Sequence, residues 1–583
     1  MNKERFLDIE DDDDQIDEYV DVNPFDTWIN NNDDLDSSDK TRADKDQDFI
    51  DKIRIFYPDE NRKERDEFIQ MALRLKTIFS EELSSAPARL DPFELTLDKD
   101  SDWLSNKGNK RSSRLQSLSK QHAIRKFINK AIANKVIRPS QAGAWSQILL
   151  TPKADGTWRF CVDFRTLNAA TKAYGWPIPN IAQMLQRIGS KRAAWFAVLD
   201  LTSGYHQAPI SERSVPLTAF MCSEGLFEWL RLPMGLKGAG SYFQHQMQNT
   251  VLRDLIQKIC EVYLDDIIVY AKTPQELNQR LETVFNRLKL FGITLNPNKV
   301  KVGMQEVEYV GHLVDKEGLS FSKEKRDHVL NFRKPATASQ MKSFLGLTSQ
   351  FREHVDHYGD IVAPLHAMIP NYKKNSKLPL CWTPDLDKSF VNLQTKVASC
   401  QKLFFLDDSS PVFLHTDASK YGIGAYLFQL IEGKRHPIAF ISRTLNKTEL
   451  KWSTQEKEAY SIFYAFQKLE YLIRDRHFTL KTDSKNLTFL NVDHRDKVKR
   501  WKLAIQYFDF DILHIKGVDN IEADAFSRLV HFPETDPVAA APMEIHAMDS
   551  FPALQPDVYA RIQKAHGGTS GHGGVQRTMS ILA

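Results

Sequence analysis

The sequence predicts a multidomain protein of mixed α/β and α+β class, on three observations. From about residue 136 to 320 short apolar strands alternate with amphipathic helices, and a second such block runs from Pro411 to Arg528. At 583 residues the chain also exceeds a single core, since domains run to roughly 100–200 residues each.

The elements follow in order. Asp66 to Glu82 has helical spacing (Phe68, Met71, Leu73, Leu75, Ile78), and an irregular stretch runs from there to about 110. Ser117 to Lys135 is a basic amphipathic segment stopped before Pro139. Gln147–Leu150 leads through a Lys153-Ala154-Asp155-Gly156 turn into Trp158–Asp163, which reads as a hairpin. Thr273-Pro274 opens a helix with Leu277, Leu281, Val284 and Leu288 on its apolar face, closed by Gly292. A helix-rich stretch covers 324 to 375, and Phe532 to Pro556 reads as a Pro- and Ala-rich linker.

Composition narrows the class. Residues 1–50 carry eighteen acidic and five basic side chains, a balance of −13 that leaves +15 for the rest of a chain whose total is +2. Such a head, within an N-terminal region 1–85, is expected to be largely disordered, and the basic remainder has the sign that favours a polyanion. No apolar run reaches the ~18 residues a membrane span needs, the start is no signal peptide, and no membrane partner is expected. Five widely spaced cysteines without a CxxC pair read as reduced thiols of a non-secreted protein.

Tyr263-Leu264-Asp265-Asp266 is the most informative motif. Cys260–Leu264 and Ile267–Tyr270 read as paired strands with two acids at the tip. A solvated turn is the bland alternative, but a third acid, Asp200, ends the apolar strand Ala194–Leu199. Three carboxylates at strand ends can share divalent cations and serve phosphoryl transfer.

With LDLTSGYHQ (199–207), LPMGLKGAG (232–240) and YLDD (263–266) in that order, the chain resembles the reverse transcriptases of gypsy-type LTR retrotransposon Pol polyproteins. The resemblance implies a right-hand polymerase of fingers, palm and thumb followed by a ribonuclease H-like α/β domain. It assigns metal binding and catalysis to Asp200, Asp265 and Asp266, and sugar selection to Tyr205, for which a core tyrosine is the alternative. Lys153 and Arg159 fall on the triphosphate contacts, with a solvated turn lysine as the alternative for Lys153. Gln207 and Leu232–Lys237 fall on the floor of the nucleotide pocket, and Asn296–Lys299 and Tyr309–His312 on the primer grip. Met234 and Gly238-Ala239-Gly240 depart from the family's aromatic residue and Asn-Ala-Pro, and the glycines are expected to loosen that pocket.

Four acids recur after residue 400. HTDAS (415–419), EKEAYSI (456–462), TDSKNL (482–487) and ADAFSR (523–528) resemble the ribonuclease H domain fused to these polymerases. Asp417, Glu458, Asp483 and Asp524 are then the catalytic and metal-binding set, with Glu456 a first-turn helix acid and His514 a strand histidine. The tail has an H-x5-H pair, His566 and His572, similar to the start of an integrase zinc-binding segment, without the cysteine pair tetrahedral zinc needs; it is expected to be truncated.

The implied organisation is fingers and palm over 88–320, thumb and connection over 324–405, and ribonuclease H over 408–530. A linker at 532–556 and an integrase-like segment at 557–583 follow. Cofactors would be Mg²⁺, two per site, with Mn²⁺ as a substitute. Partners would be an RNA template, a DNA primer or RNA–DNA hybrid, dNTPs and a second copy of the chain. The location would be intracellular, in a cytoplasmic retroelement particle with the nucleus as a second site. The alternative function is a decayed or co-opted nucleic-acid-binding remnant.

Overall fold

The computed structural model describes residues 42–152, 156, 158–369, 379–419, 421–482 and 496–514. Lys153, Asp483, Asp524, the linker and the histidine pair of the tail lie outside them. Among the described residues no helix is long and apolar enough to cross a membrane. All five cysteines are described and all are free thiols.

The central sheet of the first half has the order Arg54–Ile55, Lys301–Met304, Trp195–Asp200, Asp266–Ala271, Cys260–Tyr263. Its middle strands are rich in apolar and β-branched residues, as burial on both faces requires: Phe196, Ala197, Leu199, Ile267, Ile268 and Val269 are all inaccessible. The helix Pro274–Phe291 lays Leu277, Leu281, Val284 and Leu288 into the same core. Its ends are set as the sequence suggests: Thr273 Oγ1 accepts from Glu276 N at 3.2 Å, and Gly292 stops the helix at φ 68°.

A second five-stranded sheet, the expected fingers, contains the hairpin Ser146–Pro152 with Trp158–Asp163. The basic segment forms the helix Leu118–Ala133, whose Phe127 stacks on Phe160 at 4.0 Å. Helices Lys323–Leu330, Ala338–Ser349, Tyr358–Ala367 and Pro384–Ala398 follow, with a four-stranded sheet beside them that includes Glu306–Tyr309 and His312–Asp315.

The last sheet has the order Lys434–Thr444, Gly422–Ile431, Val412–Ala418, Phe478–Thr482, Phe510–His514. Its first three strands are antiparallel and the last two join in parallel. Helix Thr454–Ile473 covers it through Ile462, Ala465, Phe466 and Leu469.

The structure corrects the expectation of a largely disordered region 1–85 over residues 42–85. Helix Arg42–Lys52, strand Arg54–Ile55 and helix Arg62–Arg74 are folded onto the central sheet. Tyr57 stacks on Trp195 at 5.9 Å and donates to Asn278 Oδ1 at 2.6 Å, while Phe68 and Met71 are buried. The charge average hid an apolar series, Phe49, Ile50, Ile53 and Tyr57, that binds this segment to the core. Phe68→Ala should therefore destabilise the first half by about 3–5 kcal/mol, read from its urea transition. An unchanged midpoint would mean that the segment is a loose appendage.

Candidate active sites

The strand Trp195–Asp200 runs antiparallel to Asp266–Ala271, with Asp200 directly opposite Asp266. Opposed residues in such a pair point to the same face, so two carboxylates are forced together. Asp265 joins them from the turn. Tyr263 pairs with Asp266, which leaves Leu264 and Asp265 as the two turn residues, and Leu264 takes the left-handed φ of 54°. The acidic pair thus straddles the tip: one acid in the turn, one in the strand.

Burial makes this cluster electrostatically costly. Asp265 is 7% exposed, and its Oδ1 has no hydrogen-bond partner among the described residues. Burial first, then the charges of Asp266 and Asp200, hold the Asp265 carboxyl well above the usual range. Burial and Asp200 raise Asp266 to about 6. Asp200 is raised by burial against the opposing pull of Lys299, whose Nζ lies 3.6 Å from Asp200 Oδ1. Lys299 belongs to the segment the resemblance placed at the primer grip, yet it faces the carboxylates. Among the described residues no three His, Cys, Asp or Glu side chains already close on one ion. The donor set nevertheless fits a hard divalent cation: oxygen-only, like-charged, and with a buried oxygen left over.

Neighbouring groups fix the turn. Gln244, fully buried in helix Ala239–Gln246, donates Nε2 to Val262 O at 3.0 Å, and its Oε1 accepts from Leu264 N at 2.7 Å. A Cβ at Gly204 would come within 2.8 Å of Asp265 Oδ1, so glycine there admits the carboxylate. Arg187 grips buried Glu261 with two hydrogen bonds of 2.9 and 3.1 Å under the strand Cys260–Tyr263. Sequence reading missed Gln244 and Arg187, because a single amide or cation on an amphipathic helix carries no motif.

The predicted substrate contacts divide. Tyr205 is buried against Phe243 at 5.2 Å, and a Cβ on Gly240 would lie 3.4 Å from its hydroxyl. Arg159 lies in the hairpin opposite Thr151, its Nε buried without a partner among the described residues. Gln207 is corrected. Its Nε2 donates to Thr202 O and Thr294 O, and its Oε1 accepts from Thr294 N, so the amide is spent bracing backbone. Of the two glycines expected to loosen the pocket, Gly238 has a backbone reason to be glycine: it holds φ 83°, where a Cβ would strike Tyr174 at 2.6 Å.

In the second half, Asp417 lies near the end of strand Val412–Ala418 and Glu458 in the second turn of helix Thr454–Ile473. Glu456 is occupied otherwise: it closes a capping box with Ser453 and meets Lys497 at 2.5 Å. Asp483 and Asp524 are outside the described residues. His514 ends the strand Phe510–His514, its backbone opposite Thr482.

Comparison with known proteins identifies both halves. Residues 151–314 match the family described as reverse transcriptase (RNA-dependent DNA polymerase), and 407–508 the RNase H-like domain found in reverse transcriptase. The chain thus carries a reverse transcriptase domain and an RNase H-like domain, and its relatives are Pol polyproteins of LTR transposons, gypsy among them. It is 34% identical over 420 residues to the retrovirus-related Pol polyprotein from transposon opus of Drosophila melanogaster, covering 70% of this chain and 42% of that protein. The Pol polyprotein from transposon gypsy of the same organism is 32% identical over 417 residues, at 69% and 40% coverage. The chain thus spans about two-fifths of the length of these Pol relatives.

Solved structures share the fold. A foamy viral protease-reverse transcriptase dRH in complex with double-stranded DNA superimposes with TM-score 0.69 at 20% identity, over 85% of each chain. The foamy viral protease-reverse transcriptase with an RNA/DNA hybrid gives 0.68 at 20% identity, over 88% of this chain and 67% of that one. The Pol fold is therefore a polymerase followed by an RNase H-like domain.

Because the Asp266 carboxyl releases its proton near 3.8 when unfolded and near 6 when folded, the metal-free fold loses stability as pH rises through that window. Asp266→Asn should remove this loss and raise the melting point in chelator near pH 7.5, by the equivalent of about 2–3 kcal/mol, with little change near pH 4. A variant that melts no higher than wild type near neutral pH would contradict the buried-charge reading.

Proposed function

We propose that the chain is an RNA- and DNA-directed DNA polymerase that also hydrolyses the RNA strand of RNA–DNA hybrids. The observation that carries this reading is the cross-strand pair Asp200–Asp266 with Asp265 buried beside it. Asp200, Asp265 and Asp266 would hold Mg²⁺ in the polymerase site. Asp417 and Glu458, with Asp483 and Asp524, would hold it in the ribonuclease site. Bound there, two Mg²⁺ ions would lower the pKa of the attacking hydroxyl or water and stabilise the leaving oxygen.

The chain's own groups do the rest. Two strand backbones fix the carboxylates, so their geometry costs little reorganisation when a nucleotide arrives. Lys299 places a cation 3.6 Å from Asp200, where it can neutralise charge gathering around the phosphates. Tyr205, packed on Phe243, would supply the ring that excludes a ribose 2′-OH. Arg159, with Lys153, would reach the triphosphate from the hairpin. Template and primer would be held through phosphates and sugars, since copying any sequence rules out base readout. In this reading fingers and palm occupy 88–320, thumb and connection 324–405, and ribonuclease H 408–530.

A DNA primer annealed to an RNA template should be extended by the full chain with Mg²⁺. Asp265→Asn should lower extension by about a thousandfold or more while hybrid cleavage persists. Asp417→Asn should do the reverse. A well-folded wild type that extends no primer would leave a nucleic-acid-binding remnant as the better reading, and loss of both activities in both variants would refute two separate sites.

A further inference from the structure

A helix start from the 324–405 segment, expected to be thumb and connection, reaches the ribonuclease sheet. Residues 356–360, which enter and open the helix Tyr358–Ala367 with His357 at its N-cap, lie against the strands Gly422–Ile431 and Lys434–Thr444. Gly359 N donates to Ser442 Oγ at 2.9 Å, and Thr444 Oγ1 donates back to Gly359 O at 3.0 Å. Asp360 Oδ1 accepts from Ser419 Oγ at 2.9 Å, and Ser419 Oγ in turn accepts from Gly422 N at 2.8 Å, closing the turn that follows Asp417.

The fit is built on glycine from both sides. A Cβ at Gly359 would lie 3.2 Å from the Arg443 backbone, one at Gly422 would strike Asp360 Oδ1 at 2.3 Å, and one at Gly424 would meet the His357 ring at 3.2 Å. Gly424 stands directly opposite Asp417 in the register of the two strands. His357 itself is held between Asp356 and Asp360, each at 3.5 Å. Three glycines and three hydrogen bonds across one junction describe a specific interface, one strand away from a catalytic acid.

We propose that the helix start at 356–360 is a positioning element of the ribonuclease site: through Asp360 and His357 it braces the Ser419 turn and the Gly424 strand, and so fixes the strand that carries Asp417. It acts through Ser419 and Gly424. Folding of the 324–405 segment, whose core is its own, thereby completes the second site and ties RNA removal to an intact connecting segment. This rests on the ribonuclease reading above.

The test uses the full chain with Asp360→Ala, Ser419→Ala and the double variant. Each single change should lower kcat for hybrid cleavage about three- to tenfold, the worth of one hydrogen bond. The double variant should be no worse than the poorer single, because both remove the same contact. KM for the hybrid and the primer-extension rate should stay within about twofold. Asp360→Asn, which keeps the acceptor oxygen, should restore cleavage. Hydrogen exchange over residues 412–425 should quicken in Asp360→Ala, a readout that needs no catalysis and so judges the brace even if wild type cleaves no hybrid. Unchanged exchange, faster cleavage, or an equal loss of primer extension would overturn the proposal.

Discussion

The structure turns on an unfavourable interaction. Strand register sets Asp200 against Asp266, and a two-residue turn sets Asp265 behind them, in surroundings that leave an oxygen of Asp265 without a hydrogen bond among the described residues. Like charges in a buried site raise one another's pKa, and a fold left to its own stability would replace them. Their retention at the centre of a sheet makes chemical sense when a cation supplies the missing charge.

Much of the surrounding chain can be understood as holding that arrangement against its own repulsion. The Gln244 amide ties the turn residue Leu264 to Val262 in the strand that enters the turn, and the Arg187–Glu261 pair anchors the same strand. Gly204 leaves room for the Asp265 carboxylate, and Lys299 offsets part of its neighbour's charge. Further out, Gln207 bridges Thr202 to Thr294, and the N-terminal segment adds a parallel strand and an aromatic stack on Trp195. Strain concentrated at one point is thus spread into a large core. The ribonuclease half follows a milder version, with Asp417 on a strand whose surroundings are gripped by the helix start at 356–360.

Sequence alone made the strands, the hairpin tip and the helix Pro274–Phe291 legible, because each rests on local signals: alternation, a capping threonine, a closing glycine. The carboxylates were legible for a different reason. Acids interrupting apolar strands break the local pattern, and such breaks mark functional positions. Longer-range features were not legible. Charge counting over 1–50 concealed Phe49 and Ile50, whose burial depends on partners far along the chain. Gln207 looked like a pocket residue until the Thr294 backbone came into contact with it. The backbone reason for Gly238, its positive φ and the close approach of Tyr174, was not legible either. Asp360 and Gly359 carried no signal, since their meaning lies in a serine and a strand some 60 to 85 residues later.

The central claim, that buried like charges on this sheet await a divalent cation, is most directly tested by melting the full chain against Mg²⁺ concentration near neutral pH, wild type beside Asp265→Asn. Without the cation the variant should melt higher, since one buried charge is gone, and added Mg²⁺ should raise wild type more than the variant and narrow the gap. A wild type that melts higher without Mg²⁺, with both proteins responding equally to it, would contradict the account.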